Sequence, residues 1–285
     1  MPTPKELDQF YTSKDTASYC VEKVKEVLGD YYDLSTTTFL EPSAGTGSFL
    51  KALEDEGYSW IAGDIEPCYP GVVKQNFLED YLWDIDSQGI VIGNPPFGKR
   101  ARLAIDFINK AFEMVDTVAF ILPIQFNKYL TQKKIVDEAH LIYSEILDPQ
   151  SFTFEEKPYA IRSVFQIWTK NDAILPDLRI RKAPPTTHPD FVCEYYNCVP
   201  ERLHLFEQHW DFAVLRQGWG DLTPIELEDY TELSTKKQWM FFAASTPEVK
   251  EKLLSIDYNA LGEKNTSVRG FGKADIVEEY TRLFG

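Results

Sequence analysis

A turn with two adjacent prolines follows a short apolar run at residues 89–93, near the middle of the chain. The turn reads Asn94-Pro95-Pro96-Phe97. Because proline fixes its own φ angle and has no N–H, two prolines in succession end a strand in a rigid turn. Such a turn presents the Asn94 amide oxygen and the Pro95 carbonyl oxygen as two acceptors, with the Phe97 ring beside them. Two acceptors and an aromatic face suit an amino group on a flat heterocycle.

A glycine-containing segment lies nearer the N-terminus, directly after a β-branched and apolar run at 37–40. It reads Glu41-Pro42-Ser43-Ala44-Gly45-Thr46-Gly47-Ser48-Phe49. Glycines at such a position allow the backbone to turn tightly and to approach a ligand closely. An ordinary tight turn explains a Gly-x-Gly loop equally well, so it is the position after a predicted strand that favours ligand binding.

An acidic residue follows the next predicted strand, at 59–63, in the segment Gly63-Asp64-Ile65-Glu66-Pro67. An acid at the end of the second strand of a doubly wound sheet can accept hydrogen bonds from both hydroxyls of a ribose. The glycine loop departs from the longer dinucleotide fingerprint, so the two segments together predict a nucleoside ligand without a pyrophosphate. S-adenosylmethionine fits that description. The alternative interpretation of Asp64 is a solvated surface acid.

These segments belong to a stretch in which strand-like and helical patterns alternate, which predicts a parallel α/β sheet. Helices are predicted to begin in the glycine loop and to cover 101–115. The predicted strands are 37–40, 59–63, 71–74, 89–93, 118–122, 141–147 and 164–168. We therefore predict a doubly wound, mostly parallel seven-stranded Rossmann-like sheet, whose carboxyl edge would hold the ligand.

The chain divides into three predicted regions. Residues 1–170 form the catalytic and cofactor-binding domain, and 171–190 form a proline-rich linker with a small basic run. Residues 191–285 contain strand-like and amphipathic pieces, which predict a small α+β appendage with an accessory role, such as substrate recognition. Two cysteines and two histidines lie close together at 188–204, but their spacing fits no usual zinc signature, so no metal site is predicted.

The overall charge bears on the choice of partner. The chain of 285 residues is 44% hydrophobic and carries a net charge of −16. No apolar stretch approaches the ~18 residues of a membrane span, and no signal-peptide pattern is present, so we expect a cytoplasmic protein without a membrane partner. Proteins that bind nucleic acid usually show a basic surface. The acidic total therefore counts against nucleic-acid binding without excluding it, because a local basic groove is enough. A partner subunit, or a second copy in a homodimer, is the alternative source of the contacts.

The order of these segments resembles a known family. The chain looks like the amino-methyltransferases in which a cofactor loop precedes an (Asn/Asp)-Pro-Pro-(Tyr/Phe) motif, and most closely like the gamma-ordered DNA N6-adenine methyltransferases. The likeness covers about residues 7–170, and the region after 170 resembles nothing known to us. The resemblance implies S-adenosylmethionine as cofactor, adenine in DNA as substrate, and base flipping.

The resemblance also implies roles for particular residues. The segment Phe10-Tyr11-Thr12 resembles the one that closes over the methionine part of the cofactor, and Glu41 would lie near the methionine amino group. Asn76 stands where the family usually has the Asp that reads the cofactor's adenine, and Asp80 is an alternative alignment. Phe154 resembles the aromatic residue that packs against the flipped base, with Phe152 as the alternative.

The predicted site residues form three sets. The cofactor-binding set is Phe10, Tyr11, Thr12, Glu41, Pro42, Ser43, Ala44, Gly45, Gly47, Asp64, Ile65, Asn76, Phe77 and Asn94. The catalytic set is Asn94, Pro95, Pro96 and Phe97. The residues predicted to contact the base are Phe97 and Phe154.

Other functions stay open from the sequence. The same motif could methylate RNA, and a similar motif with Tyr methylates glutamine amides in proteins. A non-catalytic nucleic-acid-binding or regulatory subunit with the same fold is a further alternative, since the chain is acidic and has Asn76 in place of Asp. We also expect no Pro-Cys nucleophile motif in the chain, which counts against cytosine C5 methylation. Finally, Lys99, Arg100 and Arg102 follow the turn and are candidate phosphate ligands or a solvated helix start.

Overall fold

A computed structural model gives the fold of the chain. The structure describes residues 11–79, 83–148, 152–154, 157–158, 162–174, 176–218, 220–227, 233–263 and 268–285. The chain forms two compact units, Met1–Arg181 and Lys182–Gly285. Among the helices in these ranges, none is both long and apolar enough to cross a bilayer.

The first unit is built around a mixed sheet. Its strands are β1 (Tyr11–Thr12), β2 (Thr38–Glu41), β3 (Ser59–Asp64), β4 (Val73–Lys74), β5 (Ile90–Gly93), β6 (Thr117–Pro123), β7 (His140–Ile146), β8 (Phe152–Phe154), β9 (Lys157–Pro158) and β10 (Ser163–Thr169). Its α-helices are α1 (Lys14–Leu28), α2 (Ser48–Asp55), α3 (Arg102–Ala111) and α4 (Tyr129–Gln132). In the described part of the chain, seven of the strands form one sheet in the order β4-β3-β2-β5-β6-β10-β7.

The sheet is parallel from β4 to β6, and only β10 runs against both of its neighbours. The predicted fold class, a mostly parallel and doubly wound seven-stranded α/β sheet, is confirmed. The chain moves from β2 outward to β3 and β4, and then returns to β5 on the other side of β2. The strand order therefore reverses between β2 and β5, and ligands of open α/β sheets bind at such a switch point.

Helices cover both faces of this sheet. On one face, α1 and α2 pack with Phe39, Ile90 and Ile92 in one buried cluster. On the other, α3 packs with Val91 and Phe120. Strands β6 and β10 are buried at every residue, which explains why β6 is apolar from Val118 onward rather than alternating. Strand β10 also buries three polar residues, Ser163, Gln166 and Thr169.

Helix α1 is absent from the sequence-based prediction, although its pattern is regular. Its buried residues, Ala17, Cys20, Val21, Val24 and Leu28, follow the spacing of one helix face. The hydroxyl oxygen of Ser13 accepts a hydrogen bond from the Thr16 N–H at 3.2 Å and caps the first turn. This helix covers the face of the sheet behind the glycine loop.

The second unit has a small antiparallel sheet with helices, as predicted for an α+β appendage. Its strands are β11 (Phe191–Tyr196), β12 (Phe212–Leu215), β13 (Pro224–Glu226) and β14 (Trp239–Ala244), in the order β11-β14-β12-β13. Its helices are α5 (Pro247–Leu254), α6 (Tyr258–Gly262) and α7 (Lys273–Phe284). Across the described residues, no group of three potential metal ligands comes together.

The segment predicted as a linker at 171–190 is divided between the two units at Arg181. Its first part is packed on the first unit, where the N–H of Leu178 donates to the Leu141 carbonyl oxygen at 2.7 Å. The Arg179 guanidinium is buried and donates to backbone carbonyl oxygens of four residues at 2.7 to 3.0 Å, Gln132, Ile135, Val136 and Ala139. Part of the basic run is therefore structural.

This contact leads to a stability prediction. We expect Arg179→Met to lower the free energy of unfolding by about 3 kcal/mol, because it leaves several buried carbonyl groups without donors. Urea denaturation followed by circular dichroism measures the change. Arg181→Met is the matched control, since the Arg181 side chain is 40% exposed and its loss should cost only about 1 kcal/mol. Equal losses in the two variants would contradict this account of Arg179.

Candidate functional site at the switch point

A cavity of about 470 Å³ lies at the carboxyl edge of the first sheet. The loops that follow β2, β3 and β5 all contribute to its wall. The sequence-predicted residues that line it are Tyr11, Pro42, Ser43, Gly45, Asp64, Ile65, Asn76, Phe77, Asn94, Pro95, Pro96 and Phe97. A smaller adjoining space of about 30 Å³ is lined by Thr12, Glu41 and Ala44, among others. The fold thus brings together most of the residues selected from the sequence.

Gly45 and Gly47 shape the loop between β2 and α2. Their φ angles are +50° and +82°, in the left-handed region that residues with a Cβ rarely adopt. A Cβ on Gly47 would overlap the Tyr69 ring, and one on Gly45 would lie 3.2 Å from the Tyr11 ring. Gly47 lines neither cavity and caps the N-terminus of α2. Its role is therefore the shape of the turn, whereas Gly45 faces the cavity.

Asp64 ends β3 and holds the glycine loop in place. Its Oδ2 accepts a hydrogen bond from the Gly45 N–H at 2.8 Å, and its Oδ1 accepts one from the Glu66 N–H at 2.8 Å. A carboxylate has about four acceptor positions. The two bonds therefore orient the group and leave room for two further donors, such as a pair of hydroxyls in the cavity.

Glu41 is buried beneath the loop, with only 2% of its surface exposed. Burial raises the pKa of its carboxyl to about 8, and the nearby Asp64 charge adds to this, while the Ser43 N–H at 3.1 Å works in the opposite direction. A Cβ at residue 93 would overlap the Glu41 carboxyl, and Gly93 has a φ of +153°. The last residue of β5 must therefore be glycine for the carboxyl to fit.

The raised pKa of Glu41 predicts a pH dependence of stability. Glu41 binds its proton more tightly in the folded state than in the unfolded state, so the free energy of unfolding falls as pH rises from about 4.5 to about 8. The loss should amount to about 5 kcal/mol, because each unit of difference between the folded and unfolded pKa corresponds to about 1.36 kcal/mol. In Glu41→Gln this part of the dependence should disappear. Urea titrations at several pH values measure it, and parallel curves for the two proteins would contradict the prediction.

The motif loop is tied to the glycine loop by one side chain. The Ser43 hydroxyl donates to the Asn94 carbonyl oxygen at 3.3 Å and lies 3.4 Å from Glu41 Oε1. Asn94 is half-buried, while Pro95 is buried. Phe97 is 9% exposed and belongs to the buried cluster that α1 forms with the sheet. The Phe97 ring thus lines the cavity but presents only part of its surface to it.

Asn76 and Phe77 have different positions in the wall. Asn76 is exposed, its Oδ1 accepts from the Leu78 N–H at 3.2 Å, and its amide donates to Glu79 at 3.1 Å. Phe77 is buried and its ring centroid lies 5.1 Å from that of Phe107 on α3. Asp80, the alternative to Asn76, lies outside the described residues.

The N-terminal segment reaches the same edge of the sheet. Strand β1 pairs antiparallel with β8, and the Ser48 hydroxyl donates to the Thr12 carbonyl oxygen at 2.8 Å. Phe10 lies outside the described residues. The backbone of Phe154 is part of β8, but its side chain also lies outside them, so its contact with a base stays a prediction.

Several residues in the wall were not selected from the sequence. They are Glu66, Cys68, Gln75, Leu78, Gly98, Lys99, Leu103 and Phe107. Leu103 and Phe107 lie on α3, four residues apart, and share a helix face with no motif around them. Cys68 follows Pro67 after β3, so a Pro-Cys pair does occur near the cavity, although not in the turn that follows β5.

Comparisons with known proteins give only distant similarities. No protein-family profile matches the chain, and no curated protein sequence matches it. A Pyrococcus horikoshii protein assigned as an RNA methyltransferase is similar in structure, with 19% identity, 60% of this chain and 90% of that chain covered, and a TM-score of 0.47. The 23S rRNA methyltransferase ErmE is 17% identical, with 57% of this chain and 70% of that chain covered and a TM-score of 0.40. The type IIG restriction endonuclease BpuSI is 11% identical, with 88% of this chain and 32% of that chain covered and a TM-score of 0.43.

Proposed function

We propose that this protein transfers a methyl group from S-adenosylmethionine to the N6 amino group of adenine in DNA. The observation that carries the proposal is the shared cavity at the switch point. Asn94 and Pro95, the residues of the turn that offer acceptors, line the same space as Gly45 and Asp64. The residues suited to an amino group and those suited to a nucleoside thus meet at one sheet edge.

The residues present fit S-adenosylmethionine. Asp64 offers acceptors for the ribose hydroxyls, and the buried Glu41 carboxyl offers a partner for the ammonium group. Ile65, Phe77 and Phe107 offer apolar surface for the adenine ring. A volume of about 470 Å³ also lies within the usual range for ligands of this size. When bound, S-adenosylmethionine supplies an electrophilic methyl group on its sulfonium.

The chain's own contribution to the reaction is positioning and hydrogen bonding. The lone pair of an adenine amino group is delocalised into the ring, so the nitrogen is a poor nucleophile. Asn94 Oδ1 and the Pro95 carbonyl oxygen accept its two N–H bonds, which favours sp³ character and aims the nitrogen. Fixed acceptors at the reacting atom need no reorganisation during the reaction. The scheme requires no covalent enzyme intermediate.

A duplex substrate must also deliver its base to this cavity. An adenine inside the helical stack is out of reach, so the target nucleotide leaves the duplex before reaction. Phe97, and in our proposal Phe154, would contact the flipped ring. Residues 182–285 would then supply contacts to the rest of the nucleic acid.

RNA is the second candidate substrate. The Asn94-Pro95 turn would bind the base and not the sugar, and no residue described at the cavity selects against a ribose in the substrate. A regulatory subunit without activity is the third, since the Asn76 side chain is engaged with Glu79.

The test is a labelled-methyl assay with the full chain. Purified protein and S-adenosylmethionine are incubated in parallel with duplex DNA, single-stranded DNA, RNA and cell-extract protein, and products are identified as modified nucleosides by mass spectrometry. We expect N6-methyladenine in DNA. Methyl transfer only to RNA or protein, or the detection of a methylated cytosine, would overturn the proposal that adenine in DNA is the substrate. No binding of S-adenosylmethionine in calorimetry would overturn the enzyme itself.

A further inference from the structure

A second cavity, of about 620 Å³, lies beside the motif loop and is lined mainly by cations. Lys99, Arg100 and Arg102 come from the segment after β5, and Lys134 comes from the segment after α4. Ile105 and Asp106 complete the lining. We call this surface the basic groove. Because β5 and β6 are parallel neighbours, the segments that follow them meet at one edge, although Lys134 is distant in sequence.

The charge of this region is opposite to that of the chain. Residues 94–136 contain seven lysines and arginines and three aspartates and glutamates, a local net charge of +4 in a chain of −16. A local excess of this kind creates a positive potential that an acidic total conceals, and it attracts polyanions. The acidic chain thus has the local basic surface that nucleic-acid binding needs.

The cations of the groove are accessible. The Arg102 side chain is 87% exposed and has Asp106 at 3.9 Å as its acidic neighbour. Lys99, Arg100 and Lys134 are exposed as well. In the ranges that the structure describes, no carboxylate lies within ion-pairing distance of these three side chains. Their charges are therefore available to a ligand and are not neutralised by ion pairs with described residues.

The groove is continuous with the site of the proposed chemistry. Lys99 lines both cavities. The backbone that connects them is unusual, since Arg100 and Ala101 have φ angles of +57° and +58°. Non-glycine residues rarely adopt such angles, and they concentrate at functional sites. Three of the four residues that follow Gly98 are cationic.

We propose that the basic groove binds the phosphodiester backbone of the substrate strand next to the nucleotide in the catalytic cavity. The position beside the target nucleotide rests on the proposed function, whereas the binding of phosphates rests on the groove alone. Guanidinium and ammonium groups bind phosphate oxygens with charge-assisted hydrogen bonds. A nucleic-acid strand is favoured over an acidic peptide because the groove shares Lys99 with the cavity of the proposed chemistry.

The experiment measures salt dependence of binding with the full chain. Fluorescence anisotropy follows a short labelled oligonucleotide, as single-stranded DNA, duplex DNA or RNA of one sequence, over a series of NaCl concentrations. The test variant is Arg100→Gln, Arg102→Gln and Lys134→Gln together, with Lys99 retained because it lines the catalytic cavity. The salt slope is the slope of the logarithm of the binding constant against the logarithm of the NaCl concentration. We expect weaker binding and a salt slope whose magnitude falls by about 2 for single strands and by about 3 for duplex DNA.

Two control variants make the result specific. Arg100→Lys with Arg102→Lys keeps the charge and should keep the salt slope. Lys23→Gln, Lys25→Gln and Lys51→Gln remove the same charge from α1 and α2, on the opposite face of the sheet, and should leave the slope unchanged. Thermal unfolding confirms that each variant is folded. The oligonucleotide form whose loss of slope comes nearest to its own expected value, about 2 for a single strand or about 3 for a duplex, identifies the nucleic acid that the groove binds.

The proposal for the basic groove would be overturned by an unchanged salt slope in the test variant. An equal loss of slope in the variant of α1 and α2 would also overturn it. Displacement of the oligonucleotide by poly-glutamate at equal charge concentration would do the same, since the site would then bind any polyanion. Calorimetry with S-adenosylmethionine on the same proteins separates the two proposals. If the wild type does not bind S-adenosylmethionine but the test variant has a reduced salt slope, the proposed function alone is overturned. If the wild type binds S-adenosylmethionine but the test variant has an unchanged salt slope, the proposal for the groove alone is overturned.

Discussion

Replacing Asn94 with alanine is expected to lower the rate of methyl transfer by roughly 100- to 1,000-fold, the usual effect of removing one preorganised hydrogen-bonding group from a reacting centre. The change removes Oδ1, which would accept one of the two N–H bonds of the target amino group. The Pro95 carbonyl oxygen remains, so binding of the base is weakened while its orientation is lost. The loss should therefore appear mainly in kcat and only weakly in KM.

Asn94→Asp is the matched variant for this measurement. Aspartate keeps an acceptor oxygen at the same position and should retain a large part of the activity, whereas alanine should not. The Asn94 backbone carbonyl oxygen accepts from the Ser43 hydroxyl in every case, so the loop position is preserved. An alanine variant with wild-type kcat on the accepted substrate would remove Asn94 from the mechanism.

Replacing Asp64 with alanine is expected to weaken binding of S-adenosylmethionine by roughly 100-fold or more, since hydrogen bonds to a charged group contribute about 1.5 to 3 kcal/mol each. Two effects combine in this variant. The acceptors for the ribose hydroxyls disappear, and the Gly45 N–H loses the partner that holds the loop at 2.8 Å. Isothermal titration calorimetry gives the dissociation constant.

Glu66→Ala is the control for Asp64, because Glu66 is a neighbouring exposed acid that lines the same cavity. It should change the affinity by only a few-fold, as a surface charge does. The two variants also differ in a thermal assay. Saturating S-adenosylmethionine should raise the Tm of Glu66→Ala as it raises that of the wild type, and should raise that of Asp64→Ala much less. Equal affinities in the two variants would exclude Asp64 as a ribose ligand.

The candidate cofactor residues of three segments could be predicted from the sequence because these segments follow predicted strands. The segments around Gly45, Asp64 and Asn94 each follow an apolar run, and parallel strands bring their carboxyl ends to one edge. The chain order of the runs was therefore enough to predict a common site. Helix α1 was missed for a different reason, since residues 14–28 have an amphipathic pattern but no chemical motif.

Other members of the cavity wall could not be selected in this way. Phe107 and Leu103 face the cavity because α3 packs on the sheet at one particular angle, and their residue types are those of any buried helix face. Phe97 was predicted as a ring beside the acceptors, but it packs in a buried cluster of the first unit and is only 9% exposed. The buried Arg179 resembled a linker residue because a sequence does not show which carbonyl groups lack donors.

The sequence by itself determined the fold class, the order of the site segments and the residue types at the switch point, because backbone rigidity, glycine conformations and strand ends are local properties. Only the tertiary structure decided what lies across from each segment. It buried Glu41 and thereby raised the pKa of its carboxyl, and it brought Lys134 to Lys99, Arg100 and Arg102 to form the basic groove. Burial and charge proximity depend on residues far apart in the chain, so the packing of the sheet had to be known before either could be seen.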